Sequence, residues 1–357
     1  MNRRELVLKR LYDYSEDELI YKHYYELRHD QDARRAYLAS IETIARSHHL
    51  FIEEFPFISI PEYVSENNIP PYTGITSQMN VLLMKHLRYT PVFVHKQDFF
   101  ELAYVFSGSC RQVIDGEEVP LKQGDLCFIP PLVMHTMEVF DDSIIINIQI
   151  RKDTFGDLFF NALRLNNILS DFFMSFLYSQ TPAKRIVFST GDDKSIQDVV
   201  LDMFEETLFR DQYSGRLLAN MLQMLFVKTL RGYGQTASMK EKGTQAKSNQ
   251  NTLQMISYIN DNYRDITLES LADHFGYSVP YCSKLIREET GLSFVFFVRR
   301  VRMNRAASIL STSNIPVAVV GEMVGYENAE SFIRAFQKEF SQSPSAYRKN
   351  ALQNNGS

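Results

Sequence analysis

Two stretches near the carboxyl end of this 357-residue chain repeat one pattern about fifty residues apart, and no other feature limits the fold as tightly. In "TLESLADHFG", Thr267 to Gly276, the residues Leu268, Leu271, Ala272 and Phe275 fall at i, i+3, i+4 and i+7. That is the stripe of a short amphipathic helix, and Gly276 can take the left-handed conformation that ends it. Val317, Val320, Gly321 and Val324 repeat the spacing 49 residues later and run into Gly325. The third place in each copy is small, Ala272 or Gly321, so a second helix can cross closely there.

Each glycine leads into another helix. In the first copy Ser278 is placed to cap, Pro280 is tolerated in the first turn, and Val279, Cys282, Leu285 and Ile286 form an inward stripe. In the second copy Asn328 can cap, Phe332, Ala335 and Phe336 face inward, and the offset has grown to 50 through a longer turn. Helix, glycine turn, helix predicts a helix-turn-helix unit whose second helix enters a major groove.

Between the copies, "FVFFVRRVRMNRAASILSTS" predicts one long helix that would hold the two units apart. A separation of about 34 Å would let one chain read two successive major grooves on one side of double-stranded DNA. The outward residues are then the base-reading set: Pro280, Ser283, Lys284 and Arg287 in the first copy, and Ala329, Glu330, Ile333 and Arg334 in the second. Arg334 suits a bidentate contact to guanine. Arg299, Arg300, Arg302 and Arg305, with no acid among them, are expected to touch phosphate together with Arg348 and Lys349. Net charge is −5, which argues against indiscriminate coating of nucleic acid, while residues 251–350 hold 11 Lys plus Arg against 10 Asp plus Glu, a mild basic bias. The competing reading of the pattern is a helical packing domain with no nucleic-acid role.

"GYSVPYCSKLIREETGLSF" and "AASILSTSNIPVAVVGEMVGYENAESFIRAFQKEFSQSPSAYR" resemble the C-terminal DNA-binding domain of AraC/XylS-type bacterial transcription regulators over about 100 residues. Three positions depart from the family pattern. Cys282 and Ile286 stand where larger or aromatic residues are usual, and Gly321 stands in place of alanine. The resemblance implies a sequence-specific transcription regulator that works with RNA polymerase.

Upstream, from about Pro70, short β-rich runs alternate with turn signals: "VFVH", "FELAYVF", "CRQVI", "LKQGDLCFIPP" and "SIIINIQI". Asp115-Gly116 is a hairpin signal because a type I′ turn needs positive φ at both central residues. Regular short strands predict a barrel or sandwich. The run from Val94 to His135 resembles the cupin barrel that binds a small effector in the same family. Metal-binding cupins use two histidines in H-x-H, a glutamate and a later histidine, and the matching positions here are His95, Gln97, Glu101 and His135. Gln97 is a neutral amide, a poor ligand for a transition metal, so neither metal nor cofactor is expected. The four residues are instead the expected effector-binding set, able to hydrogen-bond a sugar or other polyol, with Phe99, Phe100 and Tyr104 as apolar walls. Alternatively these polar groups satisfy one another. The rival function is a metal-dependent cupin enzyme with a helical docking domain.

The predicted fold class is therefore α+β multidomain. Residues 1–69 form an N-terminal helical extension with no assigned role, and 70–152 a cupin-like barrel with flanking helices. Residues 153–233, with "FGDLFFNALRLNNILSDFFMSFLY" and "GRLLANMLQMLFVKTLRGY", form a helical dimerisation region. Residues 234–251 form a polar linker, and 252–350 an all-α domain with two helix-turn-helix motifs. Cys110, Cys127 and Cys282 lie far apart with no C-x-x-C pair, which fits a reducing cytoplasm. "MNRRELVLKR" lacks the apolar core of a secretory signal, and no window approaches the roughly 18 apolar residues that cross a bilayer, so no membrane role is expected. The expected protein is a cytoplasmic, homodimeric, ligand-responsive activator and not an enzyme.

Overall fold

The computed structural model describes residues 2–55, 62–65, 80–151, 168–179, 184–240 and 246–354. These fall into two units, one built from the segments up to 151 and from 184 to 240, the other from 168–179 and 246–354.

The first unit holds strands β1 (Tyr63–Val64), β2 (Val81–Lys85), β3 (Lys96–Gln97), β4 (Phe100–Ser107), β5 (Ser109–Ile114), β6 (Glu117–Lys122), β7 (Asp125–Ile129), β8 (His135–Glu138), β9 (Ile144–Ile150), β10 (Arg185–Ser189) and β11 (Ser238–Lys240). Six of them form a sheet in the order β11-β10-β7-β4-β9-β2, and β6-β5-β8 form a second. Asp115 and Gly116 join β5 to β6 with φ of 51° and 82°, the positive pair that the hairpin signal required. One face of the large sheet turns Ala103, Val105, Cys127, Ile129 and Ile145 inward, where they share a core with Cys110, Ile114, Val119, Leu121, Val133 and Met137 of the smaller sheet and its loops.

The other face is covered by helices, which explains why β4 is buried almost along its whole length. The helices α1 (Arg3–Tyr12), α2 (Glu16–Glu26) and α3 (Gln31–His48) come first in the chain. α5 (Lys194–Leu208) and α6 (Ser214–Tyr233) lie against the sheet, with Phe226 5.7 Å from Phe128 of β7. Their buried stripes, Ile196, Val199, Val200, Met203 and Phe204 on α5 and Leu218, Leu222, Leu225 and Phe226 on α6, are core of this unit.

That corrects three boundaries. Of residues 153–233, expected to be a helical dimerisation region, 153–167 and 180–183 lie outside the described residues; β10 is a strand of the main sheet, and the apolar stripes of α5 and α6 pack inward. The expected linker, 234–251, contains β11, which pairs with β10, and the start of a helix at Ala246. The N-terminal extension, 1–69, shares its core with the barrel: Ile20, Tyr21, Tyr24, Ile41 and Leu50 surround Tyr89, and Tyr25 stacks on Phe140 at 4.6 Å.

The second unit contains α4 (Ile168–Tyr178), α7 (Ala246–Asn262), α8 (Leu268–Phe275), α9 (Val279–Thr290), α10 (Phe294–Thr312), α11 (Val317–Met323), α12 (Ala329–Phe340) and α13 (Pro344–Asn354). α8 with α9 and α11 with α12 are the two expected helix pairs, and α10 is the expected long helix between them. Gly276 ends α8 with φ 67°, and Gly325 takes φ 85° after α11. One residue separates Gly276 from Ser278, and two separate Gly325 from Asn328, which is the one-residue difference in the turn. A Cβ on Gly325 would lie 2.6 Å from the Arg264 carbonyl oxygen, so the second turn needs glycine for space as well as for φ.

Candidate functional site

Strand alternation decides which side chains enter the barrel. Glu101 of β4 is opposite Gln149 of β9, and Ala103 is opposite Asn147, so the two amides share the interior face with Glu101. On β2, Leu82 pairs with Gln149 and Met84 with Asn147, and the same parity turns His86 inward. Gln149 Nε2 donates to Met84 Sδ at 3.5 Å. Gln112 lies on β5 between the inward residues Cys110 and Ile114.

The structure brings His95, Gln97, Glu101 and His135 together. Gln97 Nε2 donates to Glu101 Oε2 at 3.4 Å, His135 Nε2 is 3.9 Å from Glu101 Oε1, and the rings of His95 and His135 are 4.3 Å apart. The backbones of His95 and His135 exchange hydrogen bonds of 3.0 and 2.9 Å. His135 Nδ1 lies 3.0 Å from the Val133 carbonyl, which fixes that nitrogen as the donor and leaves Nε2 as an acceptor. His135 Nε2, Gln97 Oε1, Asn147 Oδ1, Gln149 Oε1 and both side-chain amide atoms of Gln112 are buried without a hydrogen-bond partner among the described residues. A native core rarely leaves so many polar atoms unpaired in one place, and the set presents acceptors and donors to a guest. His86, Gln112, Asn147 and Gln149 were missed in the sequence, although period-two alternation along β2, β5 and β9 would have found them.

Burial lowers the pKa of His95 to about 4, helped by His135, and lowers that of His86 to about 4, helped by His95. Burial lowers His135 as well and raises the Glu101 carboxyl. The three imidazoles are therefore neutral at pH 7. Among the described residues no group of three or more His, Cys, Asp and Glu is placed to hold a metal ion.

An expected pH dependence follows. A histidine whose folded pKa lies below its unfolded value near 6.5 leaves the unfolded chain holding the extra proton, so its stability contribution is full above 6.5 and is lost as pH falls toward about 4. Glu101, shifted upward, works in the opposite sense, but it is one group against three. Between pH 7 and pH 5 the barrel unit is expected to lose on the order of 2 kcal/mol, or several degrees of melting temperature, in calorimetry. An unchanged barrel transition across that range would contradict the buried neutral cluster.

In the second unit both second helices keep one flank at the surface. Pro280, Lys284 and Arg287 of α9 are exposed and Ser283 is half-buried, while Cys282, Leu285 and Ile286 are buried. Lys284 pairs with Glu288 one turn on, at 3.7 Å. On α12, Glu330 and Arg334 are exposed and Ala329 is half-buried, over a buried Phe332 and Phe336. Asn328 caps α12 by accepting from the backbone N–H of Glu330 at 2.8 Å and of Ser331 at 3.3 Å. Ser278 holds the cap position of α9 without a side-chain hydrogen bond. Ile333, expected outward, is half-buried against the core of Met303, Leu310 and Phe336. Tyr281, absent from the expected reading set, is 44% exposed on α9 and meets the Tyr277 ring edge-on at 5.1 Å.

The arginines expected on phosphate divide. Arg302 donates through Nε to the Tyr263 carbonyl at 2.9 Å and through Nη2 to that of Arg264 at 2.7 Å, satisfying carbonyls at the end of α7. Arg348 donates to the Ile315 carbonyl just before α11, and Arg305 lies half-buried over the Tyr263 ring. These three side chains are engaged by groups within the domain. Arg300 is exposed with Glu339 4.0 Å away, Arg299 lies over the Phe296 ring, and Lys349 is exposed.

Residues 271–350 match the family described as a helix-turn-helix domain, and residues 86–153 match that described as an AraC-like ligand binding domain. The chain belongs to the AraC family of transcription regulators. It is similar to the HTH-type transcriptional activator RhaS of Escherichia coli, with 24% identity over 257 residues, 71% of this chain and 87% of that protein. It is also similar to the uncharacterized HTH-type transcriptional regulator YfiF of Bacillus subtilis, with 23% identity over 71% of this chain and 78% of that one. A solved structure of ToxT from Vibrio cholerae matches at 12% identity and a TM-score of 0.31, covering 75% of this chain and 97% of that one. As an AraC-family member the chain is a DNA-binding transcription regulator with an effector-binding domain. Among its described residues no helix is long and apolar enough to cross a membrane.

Proposed function

We propose that this AraC-family regulator is a cytoplasmic one-component activator, not an enzyme, whose barrel binds a small uncharged polar effector such as a sugar. The observation that carries the effector class is the barrel interior. Its unpartnered atoms belong to amides and a neutral imidazole, which complement hydroxyl groups, and the set His86, His95, Gln97, Glu101, Gln112, His135, Asn147 and Gln149 contains no Lys or Arg to pair with an anion. His95, Gln97, Glu101 and His135 are the inner contacts in this reading.

The DNA-reading residues are proposed as Pro280, Tyr281, Ser283, Lys284 and Arg287 on α9 and Ala329, Glu330 and Arg334 on α12, with Arg299, Arg300 and Lys349 on phosphate. The dimer partner is a second copy of the chain. α6 leaves Leu217, Met224 and Val227 exposed at steps of seven and three, with Tyr213 one turn before them, a stripe that can pair with itself about a two-fold axis. RNA polymerase is the further partner that an activator requires.

Selection of bound sites from random duplex DNA, followed by footprinting with the full chain, tests this reading. Protection over two adjacent major grooves is expected. Arg334→Ala is expected to cost about 1–3 kcal/mol at one base position and to leave the other positions unchanged. Recovery of no preferred sequence would defeat the proposal.

A further inference from the structure

The polar set inside the barrel needs an apolar wall, and the residues expected to supply it do not all face inward. Phe100 and Tyr104 alternate with Glu101 and Ala103 along β4, so they take the opposite, helix-covered face. There Phe100 lies 5.8 Å from Phe128, the residue that meets Phe226 of α6. The wall comes instead from "PVFVH", Pro91 to His95. Val92 and Val94 are exposed while Phe93 and His95 are half-buried, so alternation turns Phe93 and His95 to the same side of this segment. The Phe93 ring lies 4.8 Å from the His95 imidazole, which lies 4.3 Å from that of His135. An aromatic surface therefore runs up to His135 Nε2 and Gln97 Oε1, two acceptors without a hydrogen-bond partner among the described residues.

Phe93 is itself backed by the N-terminal extension. α3 ends at His49, whose left-handed φ of 55° turns the chain. Leu50 and Ile52 then enter the buried core that holds Tyr21 and Tyr89. Phe51 between them stays out of that core and meets the Phe93 ring at 5.2 Å. The Phe51 backbone N–H donates to Tyr21 Oη at 2.8 Å, so a buried side chain of α2 fixes where Phe51 stands. Four rings, Phe51, Phe93, His95 and His135, thus form a row that starts on the extension and ends at the polar set.

We propose that Phe93 is a binding residue of the barrel, positioned by Phe51, and that the two make the site select a ring with one apolar face and a hydroxyl-bearing edge, a pyranose over an open-chain polyol. The face of an aromatic ring is electron-rich and attracts the C–H groups on the flat side of such a sugar, which an open chain does not present as one surface. A rigid ring also loses less freedom on binding than an open chain with the same hydroxyl groups. Gln97 Oε1, His135 Nε2 and the amide oxygens of Asn147 and Gln149 then accept from its hydroxyl groups. The extension, whose sequence suggested no role, becomes part of the effector site. This inference rests on the reading of the barrel as that site.

Calorimetric titration of the full chain with the common aldopyranoses, and with the alditol that matches each, tests it. At least one pyranose is expected to bind roughly tenfold or more tighter than its alditol. Phe93→Ala is expected to cut that ratio roughly five- to tenfold, and Phe93→Leu, which keeps bulk without an aromatic face, to cut it nearly as far. Phe51→Ala is expected to cut it in part, and Phe51→Tyr to restore it. A role in folding alone would weaken ring and chain alike and leave the ratio unchanged, as Gln97→Ala is expected to do. The barrel melting transition shows that each variant is folded. An unchanged ratio in both Phe93 variants overturns the wall, and an unchanged ratio in Phe51→Ala overturns its positioning role. If no pyranose binds but another small uncharged molecule raises the melting temperature, the ring-sugar assignment falls while the effector reading stands. If no small molecule does so, both fall.

Discussion

Replacing Glu18 with alanine is expected to destabilise the barrel unit by about 3–5 kcal/mol, because it strands a buried arginine. Glu18 is 0% exposed, and both of its oxygens are fully engaged. Oε1 accepts from the backbone N–H and Nε of Arg88 at 3.1 and 2.9 Å. Oε2 accepts from Lys85 Nζ at 2.7 Å, from Arg88 Nη2 at 3.1 Å and from the Ser15 backbone at 2.9 Å. Burial alone would raise the Glu18 carboxyl pKa, yet the hydrogen bonds from Arg88, Lys85 and the main chain outweigh it and hold the pKa below its ordinary value. Arg88, 2% exposed, also lies over the Tyr14 ring at 3.6 Å and donates to the Asp13 carbonyl at 3.0 Å.

Without Glu18 those contacts cannot carry the positive charge, and water cannot reach it without parting α2 from β2. A double replacement, Glu18→Leu with Arg88→Leu, is expected to recover most of the loss, since the pair as a whole is worth far less than either partner left alone. Urea unfolding of the four variants, followed on the barrel transition, gives the coupling. If Glu18→Ala and the double variant lose equal stability, the ion pair is not what joins the N-terminal helices to the barrel. Lys85 and Arg88 flank His86, so the same change also loosens a wall of the proposed effector site.

The contrast between Glu18 and the helix-turn-helix repeat shows what a sequence can display. Ser15-x-x-Glu18 is a local signal, and the capping box it predicts is present. The burial of Glu18 depends on Arg88, 70 positions away, and nothing near Glu18 announces it. The doubled repeat was legible because its parts are local: a 3.6-residue stripe, a glycine stop and, in the second copy, Asn328 as cap. The roles of Arg302 and Arg348 were not legible, since an arginine serves whichever carbonyls the fold brings near it, and those of Tyr263 and Ile315 arrive from other elements. β10 and β11 were missed for a related reason. "RIVFS" holds only three apolar residues in a row, too short a run for periodicity to tell from a piece of helix, and its identity comes from β7 beside it. The stripes on α5 and α6 predicted burial correctly but not the partner, because an apolar face suits a sheet as well as a second subunit. Four expected effector contacts did come together, while His86, Gln112, Asn147 and Gln149 needed the strand register to place them.

Phe332→Ala is expected to cost the second helix-turn-helix about 3–5 kcal/mol and to remove protection of one of the two grooves while the other persists. Phe332 is 0% exposed, its ring centre is 5.7 Å from that of Tyr326 and 5.8 Å from that of Phe336, and it packs beneath α11. A Cβ on Gly321 would stand 3.1 Å from the Phe332 ring, so α11 and α12 approach as closely as a glycine allows. The ring and the missing methyl are therefore one feature, and the two positions are coupled. Gly321→Ala alone gains up to about 1 kcal/mol of helix propensity but forces the ring to shift, so it is expected to be neutral or destabilising. In the Phe332→Ala background the ring atoms are gone and only the Cβ of residue 332 stays close to the methyl, at 3.2 Å, so Gly321→Ala is expected to be less costly there and to stabilise by up to about 1 kcal/mol. Arg334, two residues along the same helix, points outward, and its replacement by alanine leaves stability unchanged while altering preference at one base. Denaturation and footprinting on these variants separate the two effects. Additive losses at Gly321 and Phe332, or a fall in stability with Arg334→Ala, would show that α12 is not seated through the Phe332 ring with its arginine flank free for DNA.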